Sequence, residues 1–238
     1  DYTLSRGLGD VYKRQIQAAI DSVTQGTIYF PAGSYKATSE VRVKNSYTVL
    51  KGAGRNATII AFAPTSDSIC LRFAPEVGGL AQGALVTPNT NLYGCGLEDL
   101  TITSGNNADL RKYGVGLVNI SQFNLSNVSI APLNGRDSIG LFVKGHEFLR
   151  VRDFYCSTKL PILLDIGASY SGNDLSADHF TFQNTHLIGD GFPCMLVNGY
   201  ISISNISFIG EHNWTGKGGI KRTKTCLLYT SPSPRDSV

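Results

Sequence analysis

The feature that most constrains this chain is a six-residue pattern that recurs five times without gaps. The pattern is apolar, any residue, Asn or Asp, apolar or Thr, any residue, apolar. Consecutive copies lie 28, 26, 31 and 21 residues apart. The copies are LEDLTI (97–102), LSNVSI (125–130), VRDFYC (151–156), FQNTHL (182–187) and ISNISF (203–208). A period of roughly 20 to 30 residues is typical of a solenoid, in which each copy belongs to one coil.

The recurring Asn or Asp has a conformational explanation. Between two short strands the chain must turn sharply, and one residue in the left-handed region makes such a turn. After Gly, Asn and Asp adopt this conformation most readily. One corner per repeat predicts a coil of parallel strands, with equivalent residues about 4.8 Å apart in neighbouring coils. Stacked Asn and Asp side chains can then hydrogen-bond along the coil.

The apolar positions of the pattern predict three inward columns and an all-β fold. The columns are Leu97/Leu125/Val151/Phe182/Ile203, Leu100/Val128/Phe154/Thr185/Ile206 and Ile102/Ile130/Cys156/Leu187/Phe208. A β-sandwich is the competing architecture, but it needs hairpin turns every 8 to 12 residues or so. The longer period favours a parallel β-helix.

The segment before the repeats predicts a cap. IQAAIDSV (16–23) places Ile16, Ile20 and Val23 on one helical face. A short amphipathic α-helix there would cover the open end of the coil, as solenoids require. GTIYFPAGSYKA (26–37) follows, with the composition of a strand, a Pro-Ala-Gly turn and a second strand.

The two ends of the chain are related to each other as nucleic acid. When residues 5–15 are back-translated, the reverse complement, read one base out of register, encodes residues 226–236. The shared segment resembles a transposon-end adapter from a sequencing library, and such segments are excluded from fold analysis. We therefore expect residues 1–15 and 226–238 to be translated adapter. Residues 16–225 would then be a truncated β-helix domain, an internal fragment of a longer gene from mixed environmental DNA.

Composition excludes several classes of partner. The charge of the chain is +3, and residues 16–225 carry +2, from 17 basic and 15 acidic residues. This charge is too weak to indicate nucleic-acid binding. Apolar runs are too short for a membrane span. The cysteine spacings match no zinc site, so Cys70, Cys95, Cys156 and Cys194 are predicted to be buried free thiols.

Residues 16–60 resemble the opening of the pectate-lyase-like superfamily, in its rhamnogalacturonase and phage-tailspike branch. The resemblance is carried by the cap helix, by GTIYFPAGSY (26–35) and by VLKGAG (49–54). It implies a right-handed, single-stranded parallel β-helix with a polysaccharide ligand, and an extracellular or virion-tail location. In tailspikes it also implies a homotrimer. Of four polygalacturonase-type motifs the chain retains one, at Asn107 and Asp109, so we carry over none of those catalytic roles.

Two acidic residues occupy matching contexts after the corners. Asp190 in LIGDG and Glu211 in FIGEH would lie one coil apart, about 5 Å, with Lys159 one coil further. That separation suits the carboxylate pair of a retaining glycosidase. It equally suits a bound calcium ion. His212, beside Glu211, could relay a proton. The alternative is that these acids are solvated residues at the start of a loop.

Candidate ligand-binding residues lie on a polar insertion and on aromatic positions. The insertion DIGASYSGNDLSAD (165–178) explains the 31-residue step and contributes Tyr170, Asn173 and Asp174. Trp214 is a further candidate, since sugars pack on aromatic faces. We interpret the chain as a polysaccharide-binding β-helix with lyase or glycoside hydrolase activity. The alternative is a non-catalytic structural or receptor-binding β-helix of a phage tail.

Overall fold

The computed structural model describes residues 2–3, 10–75, 91–105, 109–165, 179–198 and 206–222. Within them are one α-helix and fifteen β-strands. These are β1 (Tyr2–Thr3), α1 (Asp10–Ser22), β2 (Gly26–Phe30), β3 (Gly33–Ala37), β4 (Val41–Val43), β5 (Thr48–Gly52), β6 (Thr58–Phe62), β7 (Ser68–Phe73), β8 (Leu92–Ser104), β9 (Lys112–Leu133), β10 (Ile139–Thr158), β11 (Leu160–Asp165), β12 (Phe180–Gly189), β13 (Met195–Asn198), β14 (Ile206–Thr215) and β15 (Ile220–Arg222). The helix in this part of the chain is too short to cross a membrane.

All strand pairs are parallel, and they form three sheets that wind into a coil. The first sheet contains β4, β7, the opening parts of β9 and β10, β11, β13 and β15. The second contains β2, β5 and the central or opening parts of β8, β9, β10, β12 and β14. The third contains β3, β6 and the closing parts of the same long strands. The predicted parallel β-helix is confirmed.

The corner between the second and third sheets is the predicted Asx corner. Asp99, Asn127, Asp153 and Asn184 have φ angles of 57°, 52°, 51° and 50°, all in the left-handed region. Asn127 Nδ2 donates to Asp99 Oδ1 at 2.7 Å, and Asn184 Nδ2 donates to Asp153 Oδ1 at 3.0 Å. We call these four residues the Asx ladder. The inward columns are paired as predicted across the first four copies of the pattern.

The predicted alignment of the fifth copy is wrong. Phe182 pairs with Phe208, Thr185 with His212 and Leu187 with Trp214, with a bulge between Gln183 and Thr185. Gly210, with φ of 82°, makes the corner in β14. The physical reason is that Gly tolerates the left-handed region better than Asn, so the segment FIGEHNW fits the coil as well as ISNISF does. Asn205, the predicted corner, lies outside the described residues.

The predicted cap is present and begins earlier than residue 16. Helix α1 packs against β3 and β4 and buries Ile16, Ala19 and Ile20 in the core. Gln17 also pairs with the edge strand: its Nε2 donates to Arg42 O and its Oε1 accepts from Arg42 N, both at 2.9 Å. These bonds satisfy the backbone N–H and C=O of Arg42, which would otherwise be unpaired at the open edge of the sheet. The helix starts inside the segment predicted to be adapter, and that origin stays a prediction.

The four predicted free thiols are confirmed. Cys70, Cys95, Cys156 and Cys194 are all buried and unpaired with one another. Burial raises the pKa of the thiols, most plainly that of Cys156, which lies in the predicted inward column. These four cysteines therefore stabilise the fold as small apolar residues of the core.

Substitutions at one member of the Asx ladder should separate two contributions to stability, that of the left-handed turn and that of the side-chain hydrogen bond. Asn127→Val forces a β-branched residue into the left-handed region and removes the bond to Asp99, so we expect a loss of about 2 to 3 kcal/mol of unfolding free energy. Asn127→Gly keeps the turn and loses only the bond, about 1 kcal/mol. Urea titration measures both. Equal losses would show that the corner conformation is not what the residue provides.

Candidate functional site

The structure separates the two carboxylates that were expected to pair. Asp190 comes after the end of β12 in the third sheet. Because Ile188 pairs with Thr215, the neighbours of Asp190 in the next coil are residues that come after Thr215 and not Glu211. Glu211 instead lies in the bulge beside Asn184, at the other edge of that sheet. The predicted separation of about 5 Å is therefore wrong, because Gly189 ends a strand whereas Gly210 makes a corner. Any catalytic role of either residue stays a prediction.

Lys159 and Asp190 do lie in neighbouring coils, as predicted. Thr158 pairs with Gly189, and the backbone N–H of Asp190 donates to Thr158 O at 3.1 Å. Both residues belong to the turns that lead from the third sheet to the first. The structure thus brings Lys159 and Asp190 to one edge of the third sheet and leaves Glu211 at the other.

Glu211 lines an open depression with a volume of about 1040 Å³. The walls are formed by Asn184, Thr185, His186, Gly210, Glu211, His212 and Asn213. The backbone N–H of Glu211 donates to Asn184 Oδ1 at 3.2 Å, so the Asx ladder extends directly into this wall. The carboxylate of Glu211, the imidazole of His186 and the amides of Asn184 and Asn213 therefore lie around one depression, a set able to bind hydroxyl groups and to transfer protons.

The outer face of the third sheet carries a polar column into the same depression. Thr101, Ser129, Tyr155, His186 and Asn213 pair in succession from coil to coil. The rings of Tyr155 and His186 are in edge contact, with centroids 5.0 Å apart. Its last described member is Asn213 and not Ser207, because the fifth copy of the pattern is shifted.

His212 faces the interior of the coil and is held in one tautomer. Its Nδ1 lies 2.8 Å from Thr185 Oγ1 and accepts from the backbone N–H of Thr185 at 3.4 Å. Trp214 Nε1 donates to the same Thr185 Oγ1 at 2.9 Å, so the hydroxyl donates its own proton to His212. The proton of a neutral imidazole is therefore on Nε2, which is buried without a hydrogen-bond partner in the described part of the chain.

The ligand-binding residues predicted from sequence have different outcomes. Trp214 packs against the core cluster from the inward side of β14, so it acts here as a core residue with a satisfied indole N–H. The expectation that it presents a sugar-stacking face to solvent is corrected accordingly. Tyr170, Asn173 and Asp174 lie outside the described residues.

A buried polar column on the first sheet was missed by the sequence analysis. Lys144 within β10, Asp165 at the end of β11 and Asn198 at the end of β13 lie at equivalent positions in three successive coils, and Asn198 Nδ2 donates to Asp165 Oδ1 at 2.7 Å. Lys144 and Asp165 are only 6% and 4% exposed. Burial lowers the pKa of Lys144, and the charge of Asp165 opposes that change. The sequence signal was a polar residue after two apolar ones in FVK, LLD and LVN.

The described residues contain no group of three or more His, Cys, Asp or Glu side chains placed to hold a metal ion. The predicted pair of Asp190 and Glu211 was the proposed calcium site, and the structure does not bring these carboxylates together. Calcium therefore stays a prediction without an assigned site.

Comparison with known proteins identifies the fold and a family. A family described as "Rhamnogalacturonase A/epimerase, pectate lyase-like" matches residues 10–221. The A-module of the Azotobacter vinelandii mannuronan C-5 epimerase AlgE6 is similar in structure, with a TM-score of 0.63 and 19% identity over 93% of this chain and 57% of that one. ORF18 of Geobacillus virus E2 has a TM-score of 0.59 and 19% identity over 88% and 47%.

The chain therefore spans about half the length of these two structures. No curated protein is significantly similar to it in sequence. At this level of identity the two structures support the β-helix fold alone.

Removing the hydroxyl of Thr185 should destabilise the last described coils. Thr185→Val keeps the shape of the side chain but leaves Trp214 Nε1 without an acceptor and deprives His212 of a donor, a cost of about 1 to 3 kcal/mol. Thr181→Val, on the same strand but facing outward, is the matched control. Denaturant unfolding of both variants measures the difference. Equal effects would contradict an interior polar network.

The buried Lys144 should make stability depend on pH. Because burial lowers its pKa below the ordinary 10.5, the unfolded chain binds more protons than the folded protein between the two values. This residue's contribution to the unfolding free energy should therefore rise with pH up to about 10.5. We expect Lys144→Met to lose that rise and the exposed Lys36→Met to keep it, in urea titrations from pH 7 to 10.5. Parallel pH profiles for Lys144→Met and the wild type would contradict this.

Proposed function

The chain belongs to the rhamnogalacturonase A/epimerase, pectate lyase-like family, and on that premise we propose that it binds an extended polysaccharide on the outside of the coil. We propose further that it cleaves this ligand, by lyase or hydrolase chemistry, at the depression lined by Glu211. The observation that carries the proposal is the convergence of Glu211, His186 and Asn213 on one surface.

A repeating ligand suits a repeating surface. The coil presents equivalent side chains about every 4.8 Å, so a polymer lying along it meets a similar environment at each step. The polar column of the third sheet supplies hydroxyl, imidazole and amide groups, which are the hydrogen-bonding partners that sugar hydroxyls need. Both features favour a long polar chain over a compact small molecule.

In this proposal Glu211 is the acid or base and His186 its neighbour on the depression wall. His212 lines the same depression from the interior side, with its proton on Nε2. Asp190 and Lys159 lie across the third sheet, about 20 Å away along the strand, and we assign them to a different part of a long ligand. Calcium, if used, would have to be held by a ligand set other than the predicted pair.

The alternative function is a non-catalytic binding β-helix of a phage tail. One observation favours it: Glu211 is the single carboxylate among the residues that line the depression. Glycoside hydrolases generally employ two carboxylates. Under either function we propose an extracellular or virion-tail location and, for the full-length protein, a homotrimer.

Polysaccharide assays with variants of the chain distinguish these functions. The wild type is tested for binding and cleavage of rhamnogalacturonan, polygalacturonate and mannuronan, alongside Glu211→Gln and the exposed control Asp67→Asn. We expect Glu211→Gln to retain binding and to lose turnover by about a hundredfold or more, because proton transfer contributes that much. Binding by the wild type without turnover would establish the alternative. Absence of binding to any of the polymers would contradict both functions.

A further inference from the structure

A buried serine and a buried lysine meet at the turn that leads from the third sheet back to the first. Ser104 is the last residue of β8, and Lys112 is the first residue of β9. They are only 2% and 1% exposed. Lys112 Nζ lies 2.8 Å from Ser104 Oγ and 2.9 Å from the backbone oxygen of Gly105. The pair lies at the edge of the third sheet opposite to that of Glu211, so it is separate from the depression.

The lysine of this pair has no counter-ion in the described part of the chain. Lys112 belongs to none of the ion pairs that the described residues form. A buried ammonium group without a neighbouring carboxylate is costly, which favours the neutral amine. Burial accordingly lowers the pKa of Lys112 from its ordinary 10.5. A larger fraction of this side chain is therefore free base at a given pH than in an exposed lysine.

The two hydrogen bonds of Lys112 suit a neutral amine. Such an amine still carries N–H donors, one of which can donate to the backbone oxygen of Gly105, and it gains a lone pair that can accept from the Ser104 hydroxyl. A serine nucleophile and its general base lie within about 2.6 to 3.2 Å of each other. The 2.8 Å between Ser104 Oγ and Lys112 Nζ falls in this range, and lysine serves as the base in one known variant of serine catalysis.

Packing against the corresponding turn of the next coil holds the lysine in place. A Cβ atom added to Gly135 would lie 3.3 Å from Lys112 Cγ and 2.6 Å from the backbone oxygen of Leu110. The stem of Lys112 therefore runs along the backbone of Gly135, where a larger residue would not fit. This close packing fixes the amine at the serine before any substrate binds, as a catalytic base requires.

The serine can be approached from the side of Gly105. This residue is exposed, and a Cβ atom added to it would meet nothing within 4 Å beyond its chain neighbours. Open space therefore begins one residue away from Ser104, whereas the serine itself is shielded from bulk water. Such an opening fits a slim reactive group, for example an acetyl group, better than a bulky one.

We propose that Ser104 and Lys112 are the nucleophile and the general base of a second active site, which hydrolyses short-chain O-acyl esters such as acetyl esters. Ser104 Oγ attacks the acyl carbon while its proton passes to Lys112 Nζ. The tetrahedral intermediate collapses with cleavage of the acyl C–O bond, and the alcohol leaves with the proton from Lys112. Water, deprotonated by the same amine, then attacks the acyl-serine; the carboxylic acid is released and the proton returns to Ser104 Oγ.

The test measures esterase activity and serine labelling in the whole chain. Hydrolysis of p-nitrophenyl acetate is followed for the wild type, Ser104→Ala and Lys112→Met. A fluorophosphonate probe, which labels activated serines, is located by peptide mass spectrometry. Ser138→Ala is the matched control, because Ser138 is equally buried, at 1%, but its hydroxyl is bonded to Thr158 and not to a lysine.

We expect the wild type to turn over p-nitrophenyl acetate and to be labelled at Ser104. Ser104→Ala and Lys112→Met should each lower turnover about a hundredfold or more, since general-base catalysis contributes that much. Ser138→Ala should retain both turnover and labelling. The wild-type rate should rise with pH and level off below 10.5, as Lys112 loses its proton.

Two wild-type results would overturn the inference, and neither depends on whether the variants fold. The first is a chain that neither hydrolyses the ester nor is labelled. The second is labelling at a serine other than Ser104. Turnover that survives in Ser104→Ala, or that falls equally in Ser138→Ala, would overturn it as well. Each of these failures leaves the function proposed for Glu211 intact, because the two sites share no residue.

Discussion

The four described coils that contain β8, β9, β10 and β12 depend on the left-handed corner between the second and third sheets. One residue must turn the chain from the second sheet into the third without pushing an apolar side chain out of the core, and Asp99, Asn127, Asp153 and Asn184 do so at almost the same φ. Two pairs of these side chains are hydrogen-bonded: Asn127 donates to Asp99, and Asn184 donates to Asp153. The turn and the hydrogen bond thus come from the same residue, and this fixes the alignment of neighbouring coils.

That alignment determines where chemistry can be placed. Side chains that face outward are repeated from coil to coil, so a polar residue in one coil lies beside its equivalents in the next. The column that ends at His186 and Asn213 and the buried column of Lys144, Asp165 and Asn198 both arise in this way.

The sequence predicted the four coils around the Asx ladder correctly because each copy of the pattern carries two independent signals, an Asx turn and alternating apolar residues. The sequence-based alignment failed at the fifth coil. There both ISNISF and FIGEHNW offer a residue suited to the left-handed corner, flanked by residues suited to the inward positions. The stacking of Phe208 on Phe182, with centroids 5.5 Å apart, distinguishes the observed alignment. Because the candidate acid pair depended on that alignment, the error carried over to Asp190 and Glu211.

By itself, the sequence determined the class of fold, the inward columns as far as Leu187, the Asx corner and the capping helix, since all of these follow from residues close together in the chain. The tertiary structure decided the corner of β14, the interior position of His212 and Trp214, and the meeting of Lys144 with Asp165. These depend on contacts between residues that lie 20 or more positions apart. Local periodicity is satisfied by more than one such alignment, and only packing between coils selects the one that forms.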